Sequence, residues 1–201
     1  MIYLDDEQEQ ENDGQKEKGP GFNVMQKLME TRTILLFGEI DMKKAEQISQ
    51  QLLLLAADSD DDIKMILNSP GGHVESGDTI FDMIRFVKPA VKIIGTGWVA
   101  SAGALIYVAA DKENRYCLPN TRFLLHQPMG GTGIQQAVDV AIEAEEIIKM
   151  RRRLNETIAA QTGQPLEKVE RDTERNFWLS AEEAKEYGLV SQIIQSMDEV
   201  E

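Results

Sequence analysis

The residues suited to chemistry are few. Ser101 lies in Ala100-Ser101-Ala102-Gly103-Ala104, at the start of an expected helix and after a glycine-bearing turn. A helix start offers unpaired N–H groups and the positive end of the dipole, and both favour the oxyanion formed when a serine attacks a carbonyl. The small neighbours let a substrate backbone approach. Val99 stands two residues before the serine, so the segment is not the G-x-S-x-G elbow of α/β-hydrolases. Taken alone, Ser101 reads as a helix cap. An imidazole base must be His73 or His126, the only two histidines. His126 ends the apolar run TRFLLH (121–126), beside the Gln127-Pro128 turn. A lone histidine there is usually structural. The turn NSPGG (68–72) offers unobstructed N–H groups at Gly71 and Gly72, but by itself it is only a turn.

Other chemistries fare worse. GTGWVA (95–100) matches G-x-G-x-x-A, yet the tract about 20 residues on, CLPNTR, has no acid for a ribose, which disfavours a dinucleotide site. Neither histidine has a partner at zinc-site spacing, so no metal is expected. A single cysteine, Cys117, excludes an internal disulfide and a cysteine-rich metal site. Lys plus Arg number 21 against 35 Asp plus Glu, a net charge of −14. That balance argues against general nucleic-acid binding and repels anionic membranes. No run of about 18 apolar residues is present, and residues 1–20 have no apolar signal core, so a cytoplasmic location is expected.

The elements that must position these groups read as an α/β fold. Residues 5–20 are nearly devoid of apolar side chains and read as a solvated acidic arm. RTILLF (32–37) is a strand. Residues 41–57 are a helix with Ala45, Ile48, Leu52 and Leu55 on one face. The acidic DSDDD (58–62) is a turn. Two similar units follow. IKMIL (63–67) runs through NSPGGH into a helix over 75–87, and VKII (91–94) runs through GTGWVA into a helix over 101–110. Such units gather function at the strands' C-terminal ends. Residues 134–161 read as one helix of roughly 40 Å, long enough to project from the domain. Ser180 and Glu183 form a capping box for a last helix, Gly188 ends it, and LVSQII is a last strand.

Together, the segments NSPGG, GWVASAGALI, RYCLPNTRFLLHQPMGG and LEKVERDTERNFWLSAEEAKEYGLV closely resemble the proteolytic subunits of the Clp protease, the ClpP family. The resemblance runs from about Gly21 to Ile194. It implies the ClpP/crotonase fold of repeated β-β-α units, with a head over 21–133 and 162–196 and a protruding handle over 134–161. The arm at 1–20 would be a propeptide or an axial gate. The implied activity is ATP-dependent serine endopeptidase hydrolysis of unfolded proteins, with no cofactor, ATP being used by a partner AAA+ unfoldase. The implied assembly is two stacked seven-membered rings, a tetradecamer. Ser101 matches the nucleophile and His126 the base, with the backbone N–H groups of Gly72 and Ala102 as oxyanion donors. Gly130, Gly131 and Arg175 match ring–ring contacts, and Leu52, Leu53, Lys64, Ile66 and Phe86 match the unfoldase-docking cleft.

The sequence departs from the family in three places. The third triad position, usually Asp, is Asn176, which can orient His126 but brings no charge. Asp172 is a less suitable substitute, because it matches a different family aspartate. Lys64 stands where an aromatic is usual in the docking cleft, and His73 replaces an aliphatic residue beside the oxyanion turn. These departures open a second expectation, a weakly active or regulatory subunit acting in a mixed assembly with a sister ClpP. A third, a crotonase-type acyl-CoA enzyme, shares the fold but not the Ser101–His126 match.

Overall fold

The computed structural model describes residues 24–129 and 137–200. Helix α1 (Val24–Glu30) leads into strand β1 (Thr33–Phe37). Helix α2 (Met42–Asp58) is capped by Asp41, whose side chain accepts from the Lys44 N–H, and it buries Ala45, Ile48, Leu52 and Leu55. Spacing of three and four residues brings these four onto one side of the helix. The acidic turn that follows is held by Arg32, whose guanidinium donates to the carbonyls of Ser59, Asp61 and Asp62.

Strand β2 (Ile63–Ser69) alternates buried Ile63, Met65, Leu67 and Ser69 with half-buried neighbours. Helix α3 (Val74–Phe86) turns Ser76, Gly77, Ile80 and Ile84 inward. Strand β3 (Val91–Ala100) then runs ten residues, and the short helix α4 (Ala102–Tyr107) is buried throughout. GTGWVA is therefore strand rather than turn, and the helix after it is shorter than 101–110. The physical cause is that β3 serves two neighbours in succession. Its Ile93–Gly95 segment pairs with β4 (Arg115–Cys117), and its Trp98–Ala100 segment pairs with β5 (Arg122–Leu125). Between them Gly97 takes φ +59°, and the Asn68 side chain accepts the Trp98 N–H at 3.1 Å across the resulting irregularity.

Helix α5 (Ala137–Thr162) is the long helix, followed by α6 (Leu166–Asp172), β6 (Phe177–Leu179), α7 (Ala181–Tyr187) and β7 (Gln192–Ile193). The Ser180–Glu183 capping box and the left-handed Gly188 cap bound α7 as the sequence indicates. The sheet has seven strands in the order β1-β2-β3-β4-β7, with β5 beside β3 and β6 beside β5. All pairs are parallel except β5–β6. The base of α5 is fastened to the head by Arg115, which is fully buried and donates to the carbonyls of Val108, Ala110 and Gln161 and to the Gln161 side chain. Arg153 adds a two-bond pair to Asp78 of α3, at 2.7 and 2.6 Å. The sequence-expected arm at 1–20, the first residues of the handle and the Gly130-Gly131 contact lie outside the described residues.

Candidate active site

Strand register brings Ser101 and His126 to the same end of the sheet. In the parallel β3–β5 pair, Trp98, Val99 and Ala100 lie opposite Arg122, Phe123 and Leu124. Ser101 follows one strand directly, and His126 follows the other directly. The Ser101 N–H donates to the Leu124 carbonyl at 2.9 Å, which ties the serine to the histidine's strand. Ser101 and His126 line one cavity of about 40 Å³. The antiparallel β5–β6 pair sets Leu125 opposite Phe177, so one further step of the same register sets His126 opposite Asn176. Ser101, His126 and Asn176 thus stand at the ends of three neighbouring strands, and Asn176 is not among the residues lining the cavity. Among the described residues, no hydrogen bond links His126 to either of the other two.

Ser101 has φ +56° and ψ −123°, and only Arg32 shares a positive φ among the described non-glycine residues. Such a conformation costs on the order of 1–3 kcal/mol and persists only where its surroundings impose it. Here the bond to Leu124 holds the nitrogen, while the Ser101 carbonyl accepts from Ala104 and Leu105. Gly71 leaves the space this needs. A Cβ there would lie 2.6 Å from the Ser101 Cβ and 3.1 Å from its Oγ. Gly77 against Ala102, and Gly103 against Ser69, allow the same close approach of α3, β2 and α4.

The N–H groups of the 68–72 turn can be traced in order. The Gly71 N–H donates to Ser69 Oγ at 3.0 Å, and Pro70 has none to give. Gly72 accompanies a bridge to Ile40, formed by the Ile40 N–H to the Gly71 carbonyl and the His73 N–H to the Ile40 carbonyl. Among the described residues the Gly72 N–H itself has no acceptor, and neither does the Ala102 N–H at the start of α4. Both expected oxyanion donors are therefore free, beside the serine.

The other sequence-derived residues are placed as follows. Leu52 is packed in the core of the protomer, because it sits on the inward side of α2, and so it is not open to a docking loop. Leu53 and Phe86 are exposed, and Lys64 and Ile66 are half-buried on β2. Arg175 is exposed. His73 faces its own helix, with Nδ1 2.9 Å from Ser76 Oγ and Nε2 3.2 Å from the Glu75 carboxylate. Asp172 accepts through Oδ2 from Lys168 and from the Tyr187 hydroxyl, and makes no hydrogen bond to His126 among the described residues. Cys117 is buried, and burial pushes its thiol up to about 12. No group of three or more metal-binding side chains is gathered among the described residues.

Sequence reasoning misses Thr173 and Asn155, which line the same cavity. The Thr173 carbonyl accepts the Gln127 N–H at 2.9 Å, and the Glu174 carbonyl accepts the Gln127 side chain at 3.0 Å. The residue after His126 is thus held from the segment that leads to Asn176. No local pattern in the sequence announces such a long-range backbone contact.

The sequence model of the Clp protease family matches residues 15–197. This chain belongs to the Clp protease family. It is 58% identical over 192 residues to the ATP-dependent Clp protease proteolytic subunit 3 of Rhizobium johnstonii, covering 96% of this chain and 98% of that one. It is 57% identical over 181 residues to subunit 2 of Pseudomonas aeruginosa, covering 90% and 89%. Solved structures of ClpP1 from Listeria monocytogenes and of its Asn-to-Asp mutant, each 55% identical, superpose with TM-scores of 0.80 and 0.83. Each covers 89% of this chain and all of the other. The family and the fold expected from the sequence are both borne out.

Proposed function

We propose that this chain is a serine endopeptidase subunit of an ATP-dependent Clp protease. The observation that carries the reading is Ser101, held at positive φ by its bond to the strand that runs directly into His126 and lining a cavity with that histidine. His126 takes the Ser101 proton as Oγ attacks the peptide carbonyl. The carbonyl oxygen becomes negative and is met by the Gly72 and Ala102 N–H groups. The tetrahedral intermediate collapses, the C–N bond breaks, and His126 returns the proton to the leaving amine. Water, deprotonated by the same imidazole, then releases the acyl group from Ser101. The likeness to proteolytic subunits supports an assembly of several chains with an ATP-using partner, and stacked seven-membered rings are the form proposed. Exposed Val138, Ile142 and Ile148 along α5 support contact with a second ring. Lys64 and Phe86 remain candidates for the partner's docking site.

A second reading is favoured by one observation: His126 makes no hydrogen bond to Ser101 or Asn176 among the described residues. On that reading the subunit acquires full activity only within a mixed assembly with a sister subunit. The test is turnover of a fluorogenic peptide by the full chain, alone and mixed with sister subunits, beside Ser101→Ala and His126→Ala. Activity lost in both variants supports the peptidase. Activity found only in the mixture, and lost when the Ser101→Ala chain is used, supports the second reading. Undiminished activity in Ser101→Ala sinks both.

A further inference from the structure

The Gly72 N–H can meet a developing oxyanion only if the 68–72 turn keeps it aimed. Gly71 is buried and Gly72 is exposed, with φ of +98° and +149°. A glycine pair offers little resistance of its own to rotation, so the turn must be held from outside. The peptide joining the two is trans and planar, so the Gly72 N–H points opposite to the Gly71 carbonyl. That carbonyl accepts from the Ile40 N–H at 2.9 Å, and the His73 N–H donates to the Ile40 carbonyl at 2.8 Å. The preceding peptide is held by a side chain instead: the Gly71 N–H donates to Ser69 Oγ at 3.0 Å. Ser69 is 0% exposed and ends β2, past the point where β2 shifts its register on β3. Its other side meets α4, where a Cβ on Gly103 would lie 3.3 Å from the Ser69 Cβ and 3.7 Å from its Oγ. Gly103 directly follows Ala102, which carries the second free N–H. One buried residue therefore bonds the turn that holds one donor and packs against the helix start that holds the other.

We infer that Ser69 is a positioning residue of the oxyanion site: its hydroxyl fixes the Pro70–Gly71 peptide so that the Gly72 N–H stays directed beside Ser101. The inference rests on Ser101 being the nucleophile. Ser69 does not line the cavity, so it acts through Gly72 rather than by touching substrate. Without the hydroxyl, the buried Gly71 N–H loses its acceptor, and the turn relieves that loss by rotating about the two glycines. Such a rotation carries the Gly72 N–H off its line. The damage falls where negative charge develops on the carbonyl oxygen, which is the transition state more than the bound substrate. Loss of Ser69 Oγ therefore lowers kcat and spares KM.

The test compares Ser69→Ala with wild type in the assembled full chain, using a fluorogenic peptide and a peptide aldehyde of the same sequence. Ser101 Oγ adds to the aldehyde carbon, the carbonyl π-bond opens onto its oxygen, and the Oγ proton passes to His126, with no group leaving. The oxygen so formed occupies the oxyanion site without any turnover. Ser69→Ala should lower kcat at least about tenfold, short of the roughly 100-fold or more that follows outright removal of a donor. KM should stay within about twofold, and the aldehyde's inhibition constant should rise about tenfold. Ser69→Cys, nearly the same size but a weak acceptor, should fall between the two, and it carries the comparison if the alanine variant does not assemble. A hydroxyl that serves only the fold would lower the urea midpoint without moving kcat or the aldehyde constant. That result, or a loss confined to KM, overturns the inference. A wild type that turns over the peptide and takes the aldehyde, with both undiminished in the variants, removes only the role of Ser69. A wild type that does neither removes the peptidase reading, and the inference with it.

Discussion

Gly71 is the residue on which the conformation of Ser101, the proposed nucleophile, most visibly depends. Its φ of +98° is unfavourable for any residue with a Cβ, and that Cβ would collide with Ser101. Gly71→Ala is therefore expected to displace Oγ and cut kcat by about 100-fold or more while circular dichroism stays near native. Unchanged kcat would mean that the serine does not need this space. Asn176 can orient an imidazole but cannot balance its charge once protonated. Asn176→Asp should raise peptide turnover by at least about tenfold in assembled protein; the reverse change in a chymotrypsin-type triad has a larger effect still. No gain from an intact assembly would contradict that role. Cys117, whose thiol burial pushes up to about 12, remains protonated at pH 8, and the thiolate is the reactive form. Iodoacetamide at pH 8 should leave the native protein unlabelled and label it in urea; rapid native labelling would show an opening of β4. The small neighbours of Ser101 draw attention to it, but its strained backbone is not legible, because that conformation is held by the bond to Leu124 and allowed by Gly71 rather than set by residues next to it.

At the level of elements, the legible parts are those whose signals are local. The buried side of α2 and the capping box and glycine stop of α7 stand where periodicity and capping chemistry put them. The expected helix over 134–161 corresponds to α5 at Ala137–Thr162. The length of β3 is not legible, because a glycine-bearing stretch reads as a turn until two different strands are known to pair with its two halves. Strand β6 and the short helix α6 escape a sequence reading for a similar reason, being too brief to show a period. Arg115 gives a prediction at this scale. Among the described residues its buried cation makes no ion pair; it is met by the carbonyls of Val108 and Ala110 and by the carbonyl and side-chain oxygen of Gln161, which ties the end of α5 to the head. Arg115→Met would leave those acceptors unmade and should cost about 3 kcal/mol in urea unfolding. A change under about 1 kcal/mol would show that water replaces the guanidinium freely.

For the whole molecule, the net charge is −14, and no described helix is long and apolar enough to cross a membrane. The family itself is legible from long segments distributed over the chain. The site is legible only through that likeness, since Ser101, His126 and the NSPGG turn are each ordinary until three strand ends are known to meet. Their convergence depends on register, and register is set by pairing partners far apart in sequence. The central claim is that Ser101 is the activated nucleophile and that His126 activates it. Its most direct test is labelling of the full chain, alone and mixed with sister subunits, by a fluorophosphonate probe, with the modified residue mapped by mass spectrometry. The predicted result is one label per chain on Ser101, absent in Ser101→Ala and strongly slowed in His126→Ala. Labelling of a different residue, or a rate indifferent to His126, would contradict it.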